Sequence, residues 1–157
     1  MLTLGIHPAC MPGSKHAFIG PGVKGWASGW GVVDPEDQKV QADKLQVVSV
    51  FTMTNNDCEN FYDNVGSVTD SMLCAKSFLG GDACFGDSGG PFVNQENELI
   101  GVVSWGKSCA RPYWPGVYSR VSTAIDWIYD HTQDSEFCDK PDNRPRRRND
   151  KQIHFTN

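Results

Sequence analysis

From residue 26 onward the apolar positions fall in short runs rich in β-branched and aromatic residues, at 26–33, 45–52, 88–93, 99–105 and 117–121. Each run ends in a cluster of Gly, Pro, Asn, Asp or Ser, which is the pattern of strands closed by turns. Repeated short strands without long helical stretches predict an all-β barrel or sandwich. Two segments carry helical spacing instead. Residues 55–62 predict one or two turns capped by Asn55 or Asn56. Residues 122–131 predict a longer helix capped by Ser122 or Thr123, with Val121, Ile125 and Ile128 on one face. The first 25 residues hold Pro8, Pro12, Pro21 and, from Gly5 to Gly22, four glycines, the composition of an extended connector that must lie across some other surface. Beyond residue 132 the chain turns polar, so 133–157 is expected to be disordered except where Cys138 ties it down.

At 157 residues and 39% apolar, the chain supports one core of ordinary size. No apolar run approaches the roughly 18 residues of a membrane span, and residues 1–12 lack the features of a signal peptide. Six cysteines, none in a CxxC or Cys/His metal spacing, favour disulfides and an oxidising compartment, and no metal or cofactor is expected. An oxidising compartment with no visible leader is consistent if the chain is a C-terminal fragment of a secreted protein. The net charge of −5 is unevenly spread. Residues 139–157 hold 6 of the 14 basic and 3 of the 19 acidic side chains, which leaves a body with 8 basic against 16 acidic residues. An acidic body argues against nucleic acid as a partner, and the basic run at 144–148 reads as a solvated tail.

The chemistry concentrates in Gly86-Asp87-Ser88-Gly89-Gly90-Pro91. A nucleophilic serine needs a tight turn of small residues that exposes its hydroxyl and aims backbone N–H groups at a developing oxyanion. Further landmarks stand around it in fixed order: Cys10-Met11-Pro12, Gly29-Trp30-Gly31, Met72-Leu73-Cys74-Ala75, Asp82-Ala83-Cys84, Val103-Ser104-Trp105-Gly106 and Pro115-Gly116-Val117-Tyr118. With these residues the sequence resembles the chymotrypsin/trypsin-like serine protease family, from about Pro8 to His131.

The resemblance implies the second, C-terminal six-stranded antiparallel β-barrel of that fold, with one C-terminal α-helix. It implies a connector at 1–25, the barrel and its helix at 26–132, and the tail at 133–157. Ser88 would be the acyl-forming nucleophile, and the N–H groups of Gly86 and Ser88 the oxyanion hole. Asp87 would receive the amino terminus created when a zymogen is cut. With no such terminus in hand, its carboxylate is expected to turn toward solvent or other donors. Asp82 would stand at the floor of a specificity pocket walled by Gly106 and Gly116, selecting protein or peptide substrates with Arg or Lys at the cleavage site. Ser104 and Trp105 would present backbone and an apolar wall to the substrate strand. Pro115 resembles members that bind no sodium ion at this loop.

Six cysteines allow 15 pairings, from which the resemblance selects Cys58–Cys74 and Cys84–Cys109. A further bridge common in the family would join the positions of Gly25 and Asn94, and both cysteines are absent here. Cys10 resembles the cysteine that ties a catalytic chain to its propeptide; it pairs either with Cys138 or with an upstream chain. The family draws its histidine base and orienting aspartate from a first barrel, and none of His7, His16, His131 or His154 lies in a matching context. The expectation is an Arg/Lys-specific endopeptidase whose isolated C-terminal half is inactive without the N-terminal barrel as partner. The alternative is a non-catalytic protease homologue serving as a binding module.

Overall fold

Six antiparallel strands close on themselves in the order β1-β2-β3-β6-β5-β4, with β4 returning to β1. They are β1 (Lys24–Gly29), β2 (Gln46–Met53), β3 (Met72–Lys76), β4 (Pro91–Asn94), β5 (Leu99–Trp105) and β6 (Gly116–Arg120). Helix α1 (Asn55–Phe61) links β2 to β3, and α2 (Val121–His131) follows β6 without a break. The computed structural model describes residues 8–13, 17, 19–34, 40–62, 67–78, 80–109, 114–135 and 137–138. Most of the tail expected to be disordered, with its basic run, lies outside the described residues.

Inward-facing Ala27, Val50, Leu73, Ala75, Phe92, Ile100 and Tyr118 fill the barrel. Phe92 is its centre, with its ring centroid 4.8 Å from that of Tyr118. Glycine makes room for this ring on two strands. A Cβ on Gly25 would stand 2.5 Å from Phe92, and one on Gly101 3.1 Å from it. The missing cysteine pair has its explanation here. Gly25 and Asn94 face each other across β1 and β4, but Phe92 occupies the space a side chain on Gly25 would need. Asn94 instead organises the β4–β5 turn, its Oδ1 accepting the N–H groups of Glu96 and Glu98.

Pattern alone yields no strand at 72–76. Leu73, Cys74 and Ala75 are buried in succession, so the alternation that marks a half-exposed strand is lost. One side of β3 faces the barrel, and the other carries the Cys58–Cys74 disulfide to α1. The strand read at 88–93 starts later, at Pro91, because residues 85–90 form turns. The caps also differ from expectation. Thr54 rather than an asparagine caps α1, accepting the Asp57 N–H at 3.0 Å. Arg120 is the cap of α2 and supplies no side-chain cap; the Thr123 hydroxyl donates back to the Arg120 carbonyl. The Arg120 guanidinium is engaged elsewhere, donating to the carbonyls of Asp70 and Met72 and to Asn55 Oδ1. Burial lowers its pKa, against the opposing pull of Asp70.

The connector lies on the barrel through two attachments. The hydroxyl of buried Thr52 accepts the Val23 N–H and donates to the Gly20 carbonyl, while the Gly22 N–H donates to the Thr52 carbonyl. Cys10 runs beside the β4–β5 turn, donating to the Asn97 carbonyl and accepting from the Leu99 N–H. Cys10 is also bonded to Cys138, the first of the two partners left open for it, and among the described residues no cysteine is free. The tail reaches it by turning back after α2, where the Phe137 ring meets Tyr129 at 4.5 Å.

Candidate active site

The turn that carries Ser88 is pinned from both sides. On one side the Gly89 N–H donates to the Val103 carbonyl and the Val103 N–H to the Gly90 carbonyl, which fastens it to β5. On the other, the Val32 N–H donates to the Phe85 carbonyl. Within it the Asp87 N–H bonds the Cys84 carbonyl and the Gly90 N–H bonds the Asp87 carbonyl. Gly86 and Gly89 have φ of 95° and 84°, which side chains rarely adopt, so the glycines of the motif are a backbone requirement. Ser88 is exposed at the crest. Among the described residues, the N–H groups of Gly86 and Ser88 have no acceptor.

Asp87 points away from Ser88 into the body of the protein. Its Oδ1 accepts the Gly31 N–H at 2.7 Å and its Oδ2 the Cys84 N–H at 2.9 Å. Gly29 and Gly31 are glycines for this carboxylate: a Cβ on either would collide with it. The Gly-Trp-Gly landmark is thus the seat of Asp87, a role that sequence order alone does not disclose. A cavity of about 330 Å³ lies beside it, with Val32, Val47, Val48 and Gly81 in its walls and both Asp82 and Asp87 facing it. The Cys84–Cys109 disulfide closes this region.

Asp82 is half-buried, and a Cβ on Gly116 would stand 2.9 Å from its Oδ1. Glycine there keeps open the space in front of the carboxylate. The Tyr118 hydroxyl borders the same space, 3.3 Å from that Cβ position, and makes no hydrogen bond among the described residues. Burial first, then the charges of Asp82 and Asp87, pushes the Tyr118 pKa well up, so it stays a neutral hydroxyl. Tyr118 carries no signal in the sequence beyond its place in a landmark. Its burial beside a carboxylate was the missing signal, and that is a tertiary property.

β5 slips register against β6 between Val103 and Trp105, which leaves Ser104 exposed on a bulge. Trp105 leans on Tyr62 at 4.9 Å, and the Tyr62 hydroxyl donates to the Pro115 carbonyl. Burial raises the Tyr62 pKa to about 12; a backbone bond with Lys107 opposes the shift and the Asp82 charge adds to it. Gly106 is exposed, with nothing closer than 3.7 Å to a Cβ built on it. The structure therefore brings Ser88, Gly86, Asp87, Asp82, Ser104, Trp105, Gly106 and Gly116 to one end of the barrel. His131 is not committed to them: its Nδ1 lies 2.8 Å from the Trp127 carbonyl and its ring stacks on Trp127 at 4.5 Å. His7, His16 and His154 lie outside the described residues. Among the described residues no cluster of metal-ligating side chains occurs, and no helix is long and apolar enough to cross a membrane.

A closed six-stranded barrel presenting a glycine-framed serine beside a recessed carboxylate defines the class of serine protease barrels. The family model described as Trypsin matches residues 1–128, and the chain belongs to the trypsin family. It is 42% identical over 131 residues to human transmembrane protease serine 5, covering 80% of this chain and 28% of that protein. It is 40% identical over 122 residues to trypsin 5G1 of Aedes aegypti, covering 77% of this chain and 44% of that protein. Among solved structures, mouse neuropsin, described as a serine protease expressed in the limbic system of the brain, superposes with a TM-score of 0.72 at 34% identity, over 83% of this chain and 56% of that one. The chain thus spans less than two thirds of each of these relatives.

Proposed function

We propose that this chain is the nucleophile-bearing part of a serine endopeptidase that cuts after arginine or lysine. The observation that carries the reading is the pairing of Asp82 with the space Gly116 leaves open, at the same end of the barrel as exposed Ser88. A guanidinium or ammonium entering that space meets a half-buried carboxylate of opposite charge, whereas an apolar side chain gains nothing from it. The scissile carbonyl then lies over Ser88. Its Oγ attacks the carbon while its proton passes to a histidine base, and the carbonyl oxygen takes the negative charge against the Gly86 and Ser88 N–H groups. We place that base, and the carboxylate that orients it, outside these 157 residues, in a first barrel that completes the cleft. The cavity beside Asp87, with valines among its lining and the Asp82 and Asp87 carboxylates facing it, suits the amino terminus that zymogen cleavage creates. Three disulfides fit a protein that works outside the cell.

Reaction with a fluorophosphonate, with and without the first barrel, tests the reading. The expected result is no labelling of the chain alone and labelling at Ser88 in the complemented sample, lost in Ser88→Ala. Benzamidine binding tests the pocket separately from the chemistry and is expected to disappear in Asp82→Asn. A second reading, a protease homologue that binds without cutting, is favoured by one observation: the only histidine among the described residues is taken up by Trp127. Complemented chain that binds benzamidine yet never labels would select that reading.

A further inference from the structure

Lys107 follows Gly106 just beyond β5 and is exposed, yet its ammonium has a fixed seat, 3.8 Å from the centroid of the Trp114 ring. The seat is itself supported. Trp114 rests 5.6 Å from Tyr62, which is buried, meets Trp105 on another side and donates its hydroxyl to the Pro115 carbonyl. A lysine stacked on an indole keeps N–H donors pointed away from the ring. No ion pair engages Lys107 among the described residues, although the chain carries a net charge of −5. The site is a positioned cation without an anion.

Its place relative to the reaction follows from the fold. The nucleophile turn is fastened to Val103, so a peptide with its carbonyl at Ser88 and its basic side chain toward Asp82 begins opposite Ser104. Its preceding residues then run past Trp105 and Gly106, antiparallel to β5. Both strands advance by roughly 3.4 Å per residue, so Lys107 comes opposite the third or fourth substrate residue, counting the basic residue as the first. Resting on the proposed cleavage after arginine or lysine, we propose that Lys107, held over Trp114, selects substrates with an acidic side chain at that third or fourth position.

An exposed ion pair is modest in strength, and the immobilised lysine loses little further freedom on pairing, so the preference is expected to be about fivefold and to shrink with added salt. The test uses the 157-residue chain and amidated peptides with a neutral N-terminal fluorophore, read by anisotropy: Glu-Glu-Gly-Arg, Gln-Gln-Gly-Arg and Glu-Glu-Gly-norleucine. The glutamate peptide is expected to bind about fivefold tighter than the glutamine peptide, equally in Lys107→Gln, and weaker in Lys107→Glu. Equal binding of the two arginine peptides to the native chain, or a preference that survives Lys107→Gln, overturns the inference. Norleucine binding as well as arginine would instead overturn the Asp82 pocket, whatever happens at Lys107. Failure of every peptide, in a chain that still binds benzamidine, would overturn the Lys107 role alone.

Discussion

At the scale of single residues, the site is built as much from absent side chains as from present ones. Gly29 and Gly31 surround the Asp87 carboxylate, and Gly116 leaves open the approach to Asp82. Gly116→Ala would put a methyl 2.9 Å from Asp82 Oδ1 and about as close to the Tyr118 ring, at 3.2 Å. Tyr118 is packed in the barrel core and cannot give way cheaply, so the Asp82 carboxylate must move instead. Benzamidine affinity is therefore expected to fall by at least about tenfold while the far-ultraviolet circular dichroism spectrum stays native. Gly31→Ala acts differently, since the methyl would stand 2.5 Å from the Asp87 carboxyl carbon. Forcing Asp87 off the N–H groups of Gly31 and Cys84 leaves a half-buried carboxylate without its donors, so the expected loss is in folding stability, roughly 2 kcal/mol by urea titration.

Elements show the same economy. The absent bridge between β1 and β4 looks like a vacancy that an engineer would refill with Gly25→Cys and Asn94→Cys, but Phe92 fills it. The paired cysteines are expected to lower the thermal midpoint in the native background, and to do less harm when Phe92→Leu is made with them. Titration provides a second test on β6 and the segment after α1. Tyr62 ionises near pH 12 when folded and near 10 when unfolded, so its contribution is full below pH 10 and drains away as the pH climbs to about 12. Tyr118, shifted further in the same direction, adds to the same alkaline loss. Stability measured from pH 10 to 12 is expected to fall with a slope that Tyr62→Phe reduces by about half.

The whole molecule is drawn together by the Cys10–Cys138 bond, which spans 128 residues. It joins the connector beside the β4–β5 turn to the segment folded back on α2, so both chain ends of the barrel are tied at one place. On the chain-entropy account a loop of that size is worth roughly 5 kcal/mol, and the double variant Cys10→Ser, Cys138→Ser is expected to lose most of that in urea. An unchanged midpoint would show that the connector's other attachment, through Thr52, is sufficient.

The sequence by itself determined the all-β class and, through its ordered landmarks, the membership of the trypsin family. Ser88 and Asp82 stand in short contiguous motifs, which is why they could be proposed as nucleophile and pocket floor from the order of residues and the family resemblance. The β-rich runs at 99–105 and 117–121 carry the strand signal in their own composition. Only the tertiary structure decided what depends on residues distant in the chain. Leu73, Cys74 and Ala75 do not alternate because β3 is covered on both sides, which no window of sequence reports. Cys10 had two open partners until the chain after α2 was seen to fold back toward it. The Gly-Trp-Gly landmark acquired a purpose only when Asp87, 56 residues from Gly31, was found resting against it. A seat for a half-buried charge is made by whatever backbone happens to be near in space, and that proximity is written in the fold rather than in any one segment.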